Sequence, residues 1–324
     1  MKQSVFVKLN REKWEDYEKK LNKNRASADD LAKIYVHLTE DLAFSKAKYP
    51  KTSLTAYLNK LSLKVHNLIY RNKPEGKSRF KNFWKYEVPQ EVFKARYSIF
   101  YSFLIMLVGV AIGAISVAND ETFARLIMGD AYIDMTIQNI KEGDPLAVYG
   151  KSDEWYMFFA ITSNNIRVSF LAFIAGALTS FGTGFILLRN GIMLGAFHYF
   201  FVQYGLFDAT LLTIWVHGTI EISAIVIAGG AGITMGNGLL FPGTFPRGYS
   251  FKLAAKRGLK IVMGLFPFFV LAGFIESFLT RYTEWPIAVK LGIILGSLFL
   301  IVYYFIYLPS KSRKWNLQKL SFTS

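Results

Sequence analysis

The chain has 324 residues, 52% of them hydrophobic and 16% aromatic, with no cysteine and a formal net charge of +15. That balance is too apolar for two ordinary soluble domains, and the missing thiols exclude a disulfide framework, iron–sulfur clusters and thiolate zinc sites. The charge is uneven: residues 1–97 carry 22 Lys and Arg against 11 Asp and Glu, whereas residues 98–324 carry 16 against 12 and contain several uncharged apolar runs. A basic soluble module followed by a membrane domain fits this division. Lys2, Lys8 and Arg11 precede any useful apolar run, so no cleavable signal peptide is expected.

In chain order, residues 8–24 place Leu9, Trp14, Tyr17 and Leu21 at near-helical spacing among charges. Ser27-Ala-Asp-Asp30 resembles a capping start for a second helix carrying Leu31, Tyr35, Leu38 and Leu42. Pro50 opens a third, with Leu54, Leu58, Leu61, Val65, Leu68 and Ile69 on its apolar face, ending at the loop Lys73-Pro-Glu-Gly76. Residues 1–77 are thus expected to form a basic, cytoplasmic three-helix bundle. Its positive charge suits anionic lipid headgroups; no nucleic-acid motif accompanies it, so nucleic acid is not expected as a partner. Over 78–97, Phe80, Phe83, Trp84 and Phe93 alternate with Arg79, Lys81, Lys85 and Lys94, the composition of an interfacial helix that Pro89 is expected to break.

A helix needs about 20 apolar residues to cross the hydrocarbon core. Six runs qualify within a membrane domain at 98–310: Ser98–Ala118, Val168–Leu188, Gly191–Phe207, Ala209–Gly232, Ile261–Thr280 and Ile287–Leu308. Between the first two, residues 119–156 hold eight acids against Arg125, Lys141 and Lys151. Basic flanks mark the cytoplasmic side, so 119–156 reads as extracytoplasmic. Arg189, then Arg247, Lys252, Lys256, Arg257 and Lys260, and the tail 311–324 read as cytoplasmic, which places both termini inside the cell membrane. The expected class is all-α: a polytopic bundle of about six transmembrane helices with an N-terminal soluble helical bundle, and the lipid bilayer as its first partner.

Small residues let membrane helices approach closely. Gly109/Gly113, Gly191/Gly195 and Gly292/Gly296 form GxxxG pairs, and Ala172, Gly176, Ser180 and Gly184 make a ladder on the second run. Packing within the bundle is the expected use, with a homodimer face as the alternative. Gly229, Gly230, Gly232, Gly236 and Gly238, followed by Pro242 and Pro246, read as a helix end and turn. No Gly-Lys-Ser/Thr or preceding strand supports a phosphate-binding loop.

Ionisable groups at bilayer depth require a partner or a function. Glu221 and His217 share one helical face, four residues apart. His198 falls mid-span in the third run, Glu276 near the outer end of the fifth, and Asn164, Asn165 and Arg167 just before the second. These seven residues form a candidate intramembrane polar cluster with three readings. In the first, they are a buried structural network in which Arg167 neutralises a carboxylate. In the second, Glu221 and the histidines relay protons or ions. In the third, ranked last, His198, His217, Glu221 and Glu276 bind a metal. No metal, no cofactor and no catalytic residue is expected. His217-Gly-Thr-Ile-Glu221 is not the H-E-x-x-H of zinc peptidases, and no nucleophile–base pair is recognisable.

The ordered set Asn164-Asn165 with Phe170, Gly176, Gly182 and Gly184, Asn190-Gly191 with Gly195, His217-Gly218 with Glu221 and Ala224, Gly229-Gly230-Ala231-Gly232, and Ala272-Gly273-Phe274-Ile275-Glu276 with Phe278 resembles the stage II sporulation protein M family. Tyr35, Asp41-Leu42, Leu61, Leu68 to Tyr70, Val88-Pro89 and Arg96 extend the resemblance over nearly the whole chain. It implies a polytopic, non-enzymatic membrane protein, similar to a scaffold that holds peptidoglycan-degrading enzymes at the engulfing membrane of spore formers. On this reading the partners are other membrane or envelope proteins. A proton- or cation-coupled transporter or channel using Glu221, Glu276 and His217 is the alternative.

Overall fold

A computed structural model describes residues 1–22, 27–70, 76–147, 153–282 and 285–311, and among them all regular structure is helical. The chain divides into two compact units, Met1–Arg79 and Phe80–Ser324.

The first unit contains α1 (Gln3–Asn22), α2 (Ala28–Lys48) and α3 (Ser53–Tyr70). Helical periodicity lines up Phe6, Trp14 and Leu21 on α1, Ile34 and Leu38 on α2, and Leu54, Leu58, Leu61 and Val65 on α3 as one buried core. Leu9, an expected core residue, is 71% exposed; α1 begins earlier than its charge pattern suggests, and Phe6 fills that place. Ser27 caps α2 in a complete capping box with Asp30, whose carboxyl is held below the usual carboxylate range by hydrogen bonds from Ser27. The polar rim is tied by Trp14 Nε1 donating to Asp41 (2.8 Å) and Tyr57 donating to Glu18 (3.2 Å). The Lys73–Gly76 loop lies largely outside the described residues.

After the short α4 (Gly76–Asn82), Phe83–Glu87 widens into a π-helical turn and α5 (Val88–Asn119) follows without a break. The expected break at Pro89 does not occur. Pro89 sits in the first turn of α5, and the wider π turn, in which Val88 N–H reaches back to Phe83 O, carries the helix past the residue that has no N–H. The segment 119–156, expected as a loop, instead folds α6 (Thr122–Met128) and α7 (Asp130–Lys141). Ala124 and Ile133 bury against Val117 of α5 and Ala196, Phe200 and Phe201 of α9 (Thr179–Gln203), so this acidic segment is a fixed cap.

The remaining helices are α8 (Glu154–Ile174), α10 (Phe207–Leu240), α11 (Arg247–Phe274) and α12 (Ile287–Val302), with a 3-10 turn at Ala175–Leu178 and π turns at Ile275–Thr280 and Tyr303–Tyr307. Among the described residues, five continuous runs of helical residues are long and apolar enough to cross a membrane: Arg79–Asn119, Glu154–Gln203, Phe207–Leu240, Arg247–Thr280 and Ile287–Lys311. The expectation of six separate spans is therefore corrected at the second and third. Both lie in one 50-residue stretch, and the boundary expected at Arg189 falls inside α9. The stretch instead reverses at Ala175–Thr179, where Thr179 has φ 72°, and Thr183 Oγ1 donates back to Ala172 O at 2.8 Å. Its arms run antiparallel: α8 contacts α11 with Phe173 at Gly258 and Thr162 at Gly273, whereas α9 runs alongside α5. Hydropathy cannot reveal a turn made of small apolar residues, and Arg167 and Arg189, which frame that apolar run, sit exposed on helix surfaces rather than at helix ends.

α10 is the buried axis of this unit, with Ile220, Ala224, Ala228 and Ala231 fully enclosed. The glycines expected to end it lie inside it, where Gly232 lets the backbone at Ala172 approach. α5 and α9 meet backbone to backbone, Gly109 against Gly191, Gly113 against Ile192 and Ala196, and Gly195 against Val110, and Gly176 meets Gly232. Two packing expectations fail. The ladder from Ala172 to Gly184 is split by the reversal; among the described residues, a side chain grown from Gly184 would meet Ile105 alone within 4 Å, and one grown from Gly292 or Gly296 would meet nothing. At one end of the unit Lys260 pairs with Glu87 (2.7 Å) and Lys94 with Glu91 (2.9 Å); at the other, Arg281 pairs with Glu154 (2.6 Å) and Arg125 with Asp134 (2.7 Å).

Candidate functional site

α10 carries His217 and Glu221 on one face because residues four apart stack along a helix. Opposite them, α11 gives way to the π turn Ile275–Thr280, whose wider pitch brings both Glu276 and Thr280 to His217. His217 Nε2 lies 3.7 Å from Glu276 Oε1, and one ligand atom from each of His217, Glu221 and Glu276 fits within a 4.8 Å group. His217 is 4% exposed.

Thr280 Oγ1 stands within hydrogen-bonding reach of both Ile275 O (3.3 Å) and His217 Nδ1 (3.1 Å), and His217 Nε2 faces the Glu276 carboxylate. On the other side Asn165 of α8, 3% exposed, lies against Glu221, yet its Nδ2 reaches no acceptor in hydrogen-bonding geometry. The hydroxyls of Thr162, Ser169 and Ser277 are likewise buried and unpartnered.

A cavity of about 380 Å³ opens beside the cluster, lined by Met128 and Tyr132 of the acidic cap, Phe197 and His198 of α9, Trp215, His217 and Glu221 of α10, and Glu276. Burial raises the Tyr132 phenol above its ordinary range. His198 belongs to the cavity wall and not to the cluster. Its Nδ1 lies 2.9 Å from Leu194 O and its Nε2 accepts from Trp215 Nε1 at 3.1 Å, so both ring nitrogens are committed.

Of the seven residues expected to gather, Asn165, His217, Glu221 and Glu276 do so, and His198 stands at the rim. Asn164 and Arg167 do not join them: both are exposed on α8, and Arg167 makes no ion pair with Glu221 or Glu276. Asn164 instead lines a separate groove of about 550 Å³ with Arg189 and Asn190 of α9. The cause is the depth and rotation of α8. A helix shifted from the expected 168–188 window to 154–174 keeps Asn165 inward and turns its two neighbours out. Thr280, Trp215 and Tyr132 were missed, because a threonine in an apolar run and aromatics near helix ends carry no signal of a site until the helices are packed.

Two family models match the chain. Stage II sporulation protein M covers residues 102–281, and Domain of unknown function (DUF8413) covers residues 4–71. Neither a curated protein nor a solved structure matches it. The first model runs from α5 through the α8–α9 reversal and the His217–Glu221–Glu276 cluster to the π turn that completes it, more than half of the chain, and by that match the protein belongs to the stage II sporulation protein M family.

Proposed function

We propose that the protein is a non-enzymatic scaffold or assembly factor of the cell membrane, with both termini cytoplasmic, which gathers other membrane or envelope proteins. The observation that carries this reading is the acidic cap. α6 and α7 are seated on α5 and α9 by a dedicated apolar cluster, while Asp130 and Asp134 keep side-chain exposures of 78% and 65%. A preformed charged platform outside the bilayer favours recruitment, because charge complementarity speeds and selects encounters. The test is capture from solubilised native membranes, comparing the wild-type chain with Glu121→Lys, Glu142→Lys and Asp144→Lys combined, read by quantitative mass spectrometry. A defined partner set lost in the variant supports the scaffold; an identical set in both overturns the role of the cap.

A proton- or cation-coupled transporter or channel is a second reading, favoured by two carboxylates and an imidazole facing a cavity at membrane depth. Flux in proteoliposomes decides it. Loss of flux in folded Glu221→Gln or Glu276→Gln makes the protein a transporter, and absence of flux across a pH gradient and an ion panel leaves the scaffold.

A further inference from the structure

We propose that His217, Glu221 and Glu276 bind one first-row divalent transition metal ion, which clamps α10 to the π-helical end of α11. Four observations converge on this. The first is geometry: one ligand atom from each of His217, Glu221 and Glu276 lies within 4.8 Å of the others, and His217 Nε2 stands 3.7 Å from a Glu276 carboxylate oxygen. That gap is too long for a direct hydrogen bond, yet two ligands each about 2.0–2.2 Å from a shared ion stand about this far apart. A hydroxyl or carbonyl on the second ring nitrogen is also what metal-bound histidines ordinarily have.

The second observation is charge. Glu276 faces His217, and neither Glu276 nor Glu221 pairs with a Lys or Arg among the described residues. A dication would neutralise both carboxylates at membrane depth. The third is donor chemistry. One imidazole nitrogen with two carboxylate oxygens selects a Zn²⁺-like ion, because Mg²⁺ and Ca²⁺ prefer all-oxygen sets. The fourth is Asn165, whose buried Nδ2, without an acceptor in hydrogen-bonding geometry, lies beside Glu221, where a ligating carboxylate would take an outer donor. The cavity against the cluster leaves room for water to complete the coordination sphere. His198 is outside the set because both its nitrogens are used.

This inference does not rest on the scaffold reading, and the two fail separately: partner capture says nothing about metal content, and metal content nothing about partners. The experiment uses the full chain in detergent, stripped with a chelator and reloaded with Zn²⁺, with Mn²⁺ in parallel. Bound metal is measured per chain after gel filtration, together with Tm. The expected result is one equivalent of Zn²⁺ and a raised Tm. Folded His217→Gln and Glu276→Gln should each lose at least about tenfold in affinity, while His198→Gln keeps full binding. A folded wild-type chain that retains neither metal overturns the proposal, as does binding that survives unchanged in both variants. Should those variants not fold, Co²⁺ loading of the wild type decides. Visible bands shifted from aqueous Co²⁺ and displaced by one equivalent of Zn²⁺ support the site, and their absence overturns it.

Discussion

Thr280 shows how a residue without chemistry of its own can support a site. Its hydroxyl lies 3.1 Å from His217 Nδ1 and so holds the imidazole by the ring nitrogen that does not face Glu276. Thr280→Val keeps the shape and removes that contact. Zn²⁺ affinity should fall by about 10–100-fold while the chain remains folded, measured by competition with a chromogenic chelator. Glycines offer a contrast in packing. Gly195→Ala drives a methyl into the Val110 backbone and should destabilise the bundle by about 1–3 kcal/mol in detergent denaturation. Gly292→Ala meets open space and should be neutral within about 0.5 kcal/mol, or slightly stabilising through helix propensity. The two glycine pairs are indistinguishable as GxxxG motifs, because the motif records small size and not what stands opposite.

Among the elements, the α8–α9 reversal carries the most local strain. Thr179 has φ 72° and ψ 172°, a region that essentially only glycine occupies comfortably, at a cost of about 1–3 kcal/mol to other residues. Thr179→Gly should therefore raise stability by about 1 kcal/mol, an unusual sign for introducing glycine. Thr183→Val, which removes the bond to Ala172 O across the turn, should lower it by about 1 kcal/mol. Both are read by the midpoint of detergent-induced unfolding. At the start of α2 the expected effect depends on pH. Asp30 is held below its ordinary range by Ser27, so its contribution is complete above the unfolded pKa and is lost as pH falls through the lower folded value. Amide protection factors in the first turn of α2, corrected for the intrinsic pH dependence of exchange, should fall as the pH drops through the carboxylate range, and Ser27→Ala should abolish that dependence. The Ser27 cap was legible in the sequence, since a capping box is a local pattern; the reversal at Thr179 was not, because its hydrogen bond joins helices that sequence leaves unpaired.

The whole molecule has an asymmetric charge that makes its proposed orientation testable. The chain contains no cysteine, so single cysteines report topology cleanly. Asp144→Cys and Lys311→Cys should be labelled by an impermeant maleimide from opposite faces of the membrane in intact cells, Asp144→Cys from outside. Labelling of both from one face would contradict the proposed placement of the acidic cap outside and both termini inside.

Composition and periodicity alone determined that this is an all-helical membrane protein with a basic helical module at its N-terminus. These are averages over 15 or more residues, and such averages survive errors in any one boundary. They also placed His217 and Glu221 on a common face, because that relation lies within one helix. Packing decided everything that joins one helix to another: that the apolar run at 168–188 holds a turn, that α10 runs on through its glycines, and that the acidic segment folds into a cap. It also brought Glu276 and Thr280 to His217 while leaving Arg167 outside. Such relations depend on helix rotation and on the pitch of a π turn, and a single residue of rotation, about 100°, changes which side chains meet.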